Sequence, residues 1–266
     1  MEAYVHGHSG AVAKAHSVRT VANSAPHLAG RLRPGLRVLD AGSASGALTR
    51  DLAARVAPGR VTAVDLAPDV VAQAQADPAR PSNLEFRVAD VTALPFGDAE
   101  FDVVHMHQVL HHLSEPLAAI RELARVARPG GIVALREADY GAAFWFPPAP
   151  AWQAWRECFQ LVGRASGGEL DAGRRLRAWL DAAGLTAFAQ FSGSLWTYPG
   201  LAPASEIAAS WADRLTEAHF AGLAAAAGVA DESSLAATAK GLIEWGRSPA
   251  PFFAIPHVEA LIQLPG

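Results

Sequence analysis

The chain has 266 residues, 51% of them hydrophobic, with 22 basic against 26 acidic side chains and a formal net charge of -4. That length fits one domain with an elaboration, and an acidic balance without clustered Lys and Arg excludes a phosphate-neutralising nucleic-acid binder. A single cysteine, Cys158, excludes an internal disulfide and a thiolate zinc cluster.

The first residues lack a basic segment followed by an apolar one, and no run of about 18 apolar residues occurs. The expectation is therefore a cytoplasmic protein with neither signal peptide nor membrane span. Residues 1 to 34 read as a helical arm, with helix-compatible stretches from Gly7 to Arg19 and from Val21 to Leu32, ending at Pro34-Gly35. The arm gathers Tyr4, His6, His8, His16 and Arg19 ahead of an alanine-rich segment. Residues 35 to 266 form the main domain. There the apolar run Val38-Leu39 ends in Asp40 and passes into Ala41-Gly42-Ser43-Ala44-Ser45-Gly46. This pattern predicts a first strand feeding a nucleotide-binding turn, because small residues let a cofactor lie against the backbone. The spacing is G-x-x-x-G, not the G-x-G-x-x-G of dinucleotide binders, and no G-K-[ST] follows, so neither NAD nor a nucleoside triphosphate is the natural ligand.

A helical stretch from Leu48 to Ala57 leads to a second strand, Arg60 to Asp65. It places an acid about 20 residues past the loop, where a ribose-binding carboxylate belongs. The third strand, Leu84 to Ala89, runs into Asp90, so three successive strands end in an acid: Asp40, Asp65 and Asp90.

The segments VLDAGSASG (38 to 46), VTAVDLAPDVV (61 to 71), RVADVTALPFGDAEFDVV (87 to 104), VLHHLSEP (109 to 116) and ELARVARPGGIVAL (122 to 135) carry a family likeness. Over residues 30 to 140 the chain resembles the class I S-adenosylmethionine-dependent methyltransferases, and within them the ubiquinone and menaquinone biosynthesis C-methyltransferases. The resemblance implies S-adenosylmethionine as cofactor and S-adenosylhomocysteine as product. It puts Gly42 and Gly46, with Ser43 in the same loop, beneath the methionine and ribose, and Asp40 in support of the loop near the amino group. It puts Asp65 on the ribose hydroxyls, Leu66 against the adenine face, Asp90 on the adenine amine with Val91 beside it, and His107 along the cofactor. Related enzymes fold an amino-terminal arm over the methionine end, which would let the Arg19 fork meet the cofactor's carboxylate and Tyr4 cover the methyl. Ala44 departs from the pattern, which usually has another glycine there.

Further along, Leu117 to Ala127 has helical spacing, and Pro129-Gly130-Gly131 turns it into a fifth strand, Ile132 to Leu135. All seven tryptophans lie beyond residue 144. Two readings follow. The loop Phe144-Trp145-Phe146-Pro147-Pro148 could line a pocket for a flat apolar substrate, whereas Trp152 and Trp155 at helical spacing fit a core. A helix from Arg174 to Ala183 precedes a sixth strand, Ala187 to Phe191, and Phe252 to Ile262 makes the seventh. Residues 200 to 250 between them read as a helical insertion, a lid or a homodimer contact. The predicted fold is α/β: a Rossmann-like, seven-stranded, mostly parallel sheet with helices on both faces.

Candidate catalytic groups are His111 and His112 after the fourth strand and Asp139 and Tyr140 after the fifth, with His107 and Glu137 close by. The pairs His6 with His8 and His105 with His107 alternate, but nothing completes a coordination sphere, so no metal site is expected. The functional expectation is methyl transfer to oxygen, nitrogen or carbon of a small apolar or aromatic metabolite. The alternatives are a cyclase or lyase that keeps the cofactor without moving its methyl, and a catalytically silent partner subunit.

Overall fold

Strands that alternate with helices must be covered on both faces, and that is how this chain is layered. A computed structural model describes residues 17–266. Five strands run parallel: β1 (Arg37–Ala41), β2 (Arg60–Asp65), β3 (Leu84–Val88), β4 (Phe101–His107) and β5 (Ala127–Ala138). β8 (Phe252–Gln263) is antiparallel to β5, with Arg136 opposite Glu259. The order is β3-β2-β1-β4-β5-β8, and β7 (Ala189–Pro199) lies along β8.

The sequence reading is corrected at three places. An additional short strand, β6 (Phe144–Phe146), pairs with the first residues of β8, so the sheet has eight strands. The sixth predicted strand runs on to Pro199 because Leu195, Trp196 and Tyr198 continue its pairing with β8. The arm is not continuous helix after Val21: α1 (Val21–Ser24) and α2 (Pro26–Ala29) are single turns. Pro26 disfavours helical backbone in the residue before it, and Ala25 sits at φ -141°. The stretch from Gly7 through His16 lies outside the described residues.

One sheet face carries Val38, Val61, Val103, Ala134 and Leu261 against Val21 and Leu28 of the short turns and against α3 (Ala47–Val56). The other carries Leu39, Val104, Val133 and Leu135 against α5 (Pro116–Val126) and α7 (Ala172–Ala182). Between β2 and β3, α4 (Pro68–Ala76) returns the chain. A third apolar cluster joins α6 (Pro150–Ala165), α8 (Leu201–Thr216), α9 (Ala218–Ala226) and α10 (Glu232–Trp245) to β8. Here Trp152 stacks on Phe253 at 4.2 Å, and Trp155 meets Trp211 at 4.7 Å. The tryptophans of these helices are thus core, while Phe144 and Phe146 of the aromatic loop are exposed on β6.

Candidate active site

The loop after β1 takes its shape from two glycines that tolerate left-handed backbone at close quarters. Gly42 has φ +82°, and a Cβ there would lie 2.2 Å from Val109 Cγ2; Gly46 has φ +78°, with a Cβ position 2.4 Å from the Phe86 ring. Ala44 adopts φ +46° despite its side chain. Its N–H donates to Asp65 Oδ2 at 2.9 Å, and the N–H groups of Gly42 and Ser43 donate to the carbonyl of Val64 at 2.8 and 2.9 Å. The end of β2 therefore fixes the loop. Asp40 lies beneath it, accepting from Thr49 Oγ1 at 2.5 Å and bonded to His105 Nδ1 at 2.8 Å.

Arg19, Gly42, Ser43, Ala44, Leu48 and His107 border a narrow cleft above this loop. Ser43 Oγ and both ring nitrogens of His107 are buried there with no hydrogen-bond partner among the described residues. Polar atoms so placed cost free energy until something answers them, and a ligand with amino and carboxylate groups has the right chemistry. Burial holds the His107 pKa well below the ordinary imidazole value, with Arg19, Arg136, His105 and His257 adding to the effect. The ring is therefore neutral and offers one donor and one acceptor.

Asp65, at the tip of β2, also accepts from the N–H of Ala67 at 3.1 Å. A carboxylate has about four acceptor sites, so two remain for vicinal hydroxyls. Leu66 next to it is 60% exposed and presents an apolar surface. Asp90, after β3, accepts from Thr92 N–H at 2.8 Å and is exposed, while Val91 is buried behind it. The three acids thus stand at the carboxyl ends of β1, β2 and β3, Asp40 inside and the other two outside. Tyr4 lies outside the described residues.

Register puts a polar row on the same sheet face as Asp40: His105, His107, Arg136 and Glu259 occupy neighbouring strands. Arg136 is fully buried, donating from Nε to Glu259 Oε1 at 3.1 Å and from Nη2 to Ser194 Oγ at 3.0 Å. Burial pulls its pKa down to about 10 even though Glu259 favours the charged form. Trp196 of β7 lies 5.1 Å from this guanidinium, 5.9 Å from His107 and 4.8 Å from His257. None of Gln108, Arg136, Trp196, His257 and Glu259 stands out as a site residue in the sequence. The available signal was a charge at an inward position of an apolar strand, as at Arg136 after Val133-Ala134-Leu135.

Of the residues after β4 and β5, His111 and Tyr140 meet edge-on, with ring centroids 5.9 Å apart. His111 Nδ1 donates to Glu137 Oε2 at 2.7 Å, and Glu137 Oε1 accepts from the N–H groups of Val109 and Leu110. The His112 ring lies 3.8 Å from that of His111. Asp139 is bound by Arg174 through Nε at 2.7 Å and Nη2 at 2.6 Å, and it caps the N–H of Ala142 at 3.0 Å. Those contacts make it a brace between β5 and α7. Tyr140 is buried edge-on against Phe159 at 5.0 Å and Trp211 at 6.0 Å, inside the helical cluster.

A family model described as a methyltransferase domain matches residues 39–135. An uncharacterized methyltransferase of Schizosaccharomyces pombe is 30% identical over 225 residues, covering 80% of this chain and 77% of that protein. A ubiquinone/menaquinone biosynthesis C-methyltransferase of Bdellovibrio bacteriovorus is 33% identical over 106 residues, but these span 40% of this chain and less than half, 45%, of that protein. The crystal structure of the YcgJ protein of Bacillus subtilis has the same fold, with a TM-score of 0.57 at 19% identity over 90% of this chain and 96% of that one. With the cradle, the acids at the strand ends and these relatives together, the chain belongs to the class I S-adenosylmethionine-dependent methyltransferase family.

Proposed function

We propose that this enzyme methylates an oxygen, nitrogen or carbon of a small apolar or aromatic metabolite that enters beside the carboxyl ends of β4 and β5. When bound, S-adenosylmethionine supplies a methyl group already activated by its sulfonium. Asp65 holds the ribose, Leu66 underlies the adenine, Asp90 faces its amine with Val91 behind, and Arg19 meets the carboxylate. Ser43 and His107 answer the polar end, over Gly42 and Gly46. The observation that carries this reading is a set of buried atoms without a partner among the described residues, Ser43 Oγ and the two nitrogens of His107, beside a glycine cradle with no room for side chains.

With the donor activated, alignment is the main task, and it is worth roughly 7 to 11 kcal/mol in favourable cases. A proton must leave only if the nucleophile is a neutral hydroxyl or a weakly acidic carbon. His111 is the group to accept it: donation from Nδ1 to Glu137 puts the basic lone pair on Nε2. Such a base adds about 10² to 10⁴-fold. The test is transfer of a labelled methyl to a panel of phenols, quinols and amines, with His111→Asn alongside the native enzyme. Label in an aromatic acceptor, reduced in the variant, supports the reading. Tight S-adenosylhomocysteine binding without any transfer across the panel defeats it.

A further inference from the structure

Gln108, the residue after β4, has φ +55°, a backbone conformation that glycine tolerates and glutamine does not favour. Its hydrogen bonds over-determine it. The backbone N–H donates to the carbonyl of Arg136 at 2.8 Å. In the side chain, the direction of each bond follows from chemistry. His257 Nδ1 lies 3.0 Å from the carbonyl oxygen of Ile255, which only accepts, so Nδ1 carries the proton. Burial and the neighbouring Arg136 keep the His257 ring neutral, which leaves a lone pair on Nε2. Gln108 Nε2, 2.9 Å away, must donate to it. Gln108 Oε1 is then turned toward Arg19 and accepts from Nη2 at 2.5 Å. Arg19 lies over the Trp196 ring at 5.7 Å, and Trp196 Nε1 donates to the carbonyl of Asn23 at 2.9 Å, so the same strand holds the chain at Arg19 and again four residues beyond it.

We propose that Gln108 is a positioning residue that aims Arg19 across the cofactor cleft, taking its own orientation from neutral His257. An arginine side chain surrenders much rotamer freedom when it binds, and one held in place beforehand has already lost it. The proposal rests on the reading in which Arg19 meets the cofactor's carboxylate, and the experiment separates the two.

Two quantities are measured on the full chain: calorimetric affinity for S-adenosylhomocysteine, and amide exchange of residues 17–25 without ligand. Gln108→Leu is expected to weaken binding about tenfold, worth about 1.4 kcal/mol, and to speed exchange in that segment several-fold. In an Arg19→Gln background it should cause no further loss of affinity. Equal loss with and without Arg19, or no change in either quantity, overturns the proposal. If Arg19→Gln binds normally while Gln108→Leu still loosens residues 17–25, the carboxylate reading fails and the positioning role stands. Should Gln108→Leu fold poorly, Gln108→Glu decides. A glutamate keeps its bond to Arg19 but has no N–H for His257, which must then carry a proton on Nε2. His257 is faced by Arg136 of β5, Arg19 of the amino-terminal segment, His111 and the Trp196 ring, and the three cationic or ionisable groups oppose that proton. Affinity of this variant, relative to the native chain, should fall as pH rises over roughly pH 5 to 8, where histidine titrates. A flat ratio overturns the proposal.

Discussion

Asp65→Ala tests whether the acid at the tip of β2 holds a nucleoside or only its own loop. The carboxylate accepts from the N–H of Ala44 at 2.9 Å and of Ala67 at 3.1 Å, so the variant loses loop support whether or not ligand binds there. Hydrogen bonds to a charged group are worth about 1.5 to 3 kcal/mol. Loss of one such contact to a ribose hydroxyl weakens affinity for S-adenosylhomocysteine about 10- to 150-fold, at roughly 1.4 kcal/mol per decade. Calorimetry gives the affinity, and thermal unfolding of the ligand-free protein gives the scaffold's share. Asp65→Asn keeps one oxygen for Ala44 but turns an amide N–H₂ toward the other contacts, so its affinity should fall between the two. A variant that melts lower than the native chain yet binds with unchanged affinity would refute the reasoning, because Asp65 would then serve the loop alone.

Gly42→Ala should weaken binding and lower the melting temperature, since the new Cβ meets Val109 Cγ2 at 2.2 Å. A second change, Val109→Ala, should restore part of the loss but not the part due to positive φ; full recovery would show that backbone strain plays no role. Asp139→Asn should cost about 1 to 3 kcal/mol of stability through its lost charge-assisted bonds to Arg174, while turnover falls only a few-fold; a drop of about 10²-fold or more would return Asp139 to the chemistry. Burial, with His105 and Arg136 adding, pulls the His27 pKa from 6.5 to about 4. The unfolded chain therefore takes up a proton that the folded chain refuses, so this stability is full above about pH 6.5 and is lost as pH falls toward about 4. One such group contributes up to about 3 kcal/mol, and His27→Asn should flatten the decline of melting temperature with acid; an unchanged slope would contradict the assignment.

The loop after β1 and its acid support were legible because their signals are local. A glycine that must take positive φ and an acid that closes an apolar run declare themselves within a few residues, as Gly42, Gly46 and Asp65 do. The row formed by His107, Arg136, His257 and Glu259 is assembled by strand register across more than a hundred residues of sequence, and single-chain periodicity carries no register. Asp139 shows another limit: its place after a strand fits chemistry or loop support alike, and its partner Arg174 lies too far along the chain for the sequence to reveal the contact. Trp152 and Trp155 read as core from their helical spacing, but which helices, α8 and α10, close over them does not show in the sequence. β6 escaped notice because three residues before two prolines resemble a loop in any pattern.

Where a bound nucleoside lies is the most direct test of the account. A crystal structure with S-adenosylhomocysteine should place both ribose hydroxyls on Asp65, the adenine against Leu66 near Asp90, and the amino-acid end between Ser43, His107 and Arg19. A ligand that leaves Asp65 untouched, or a protein that takes up none at millimolar concentration, would contradict it.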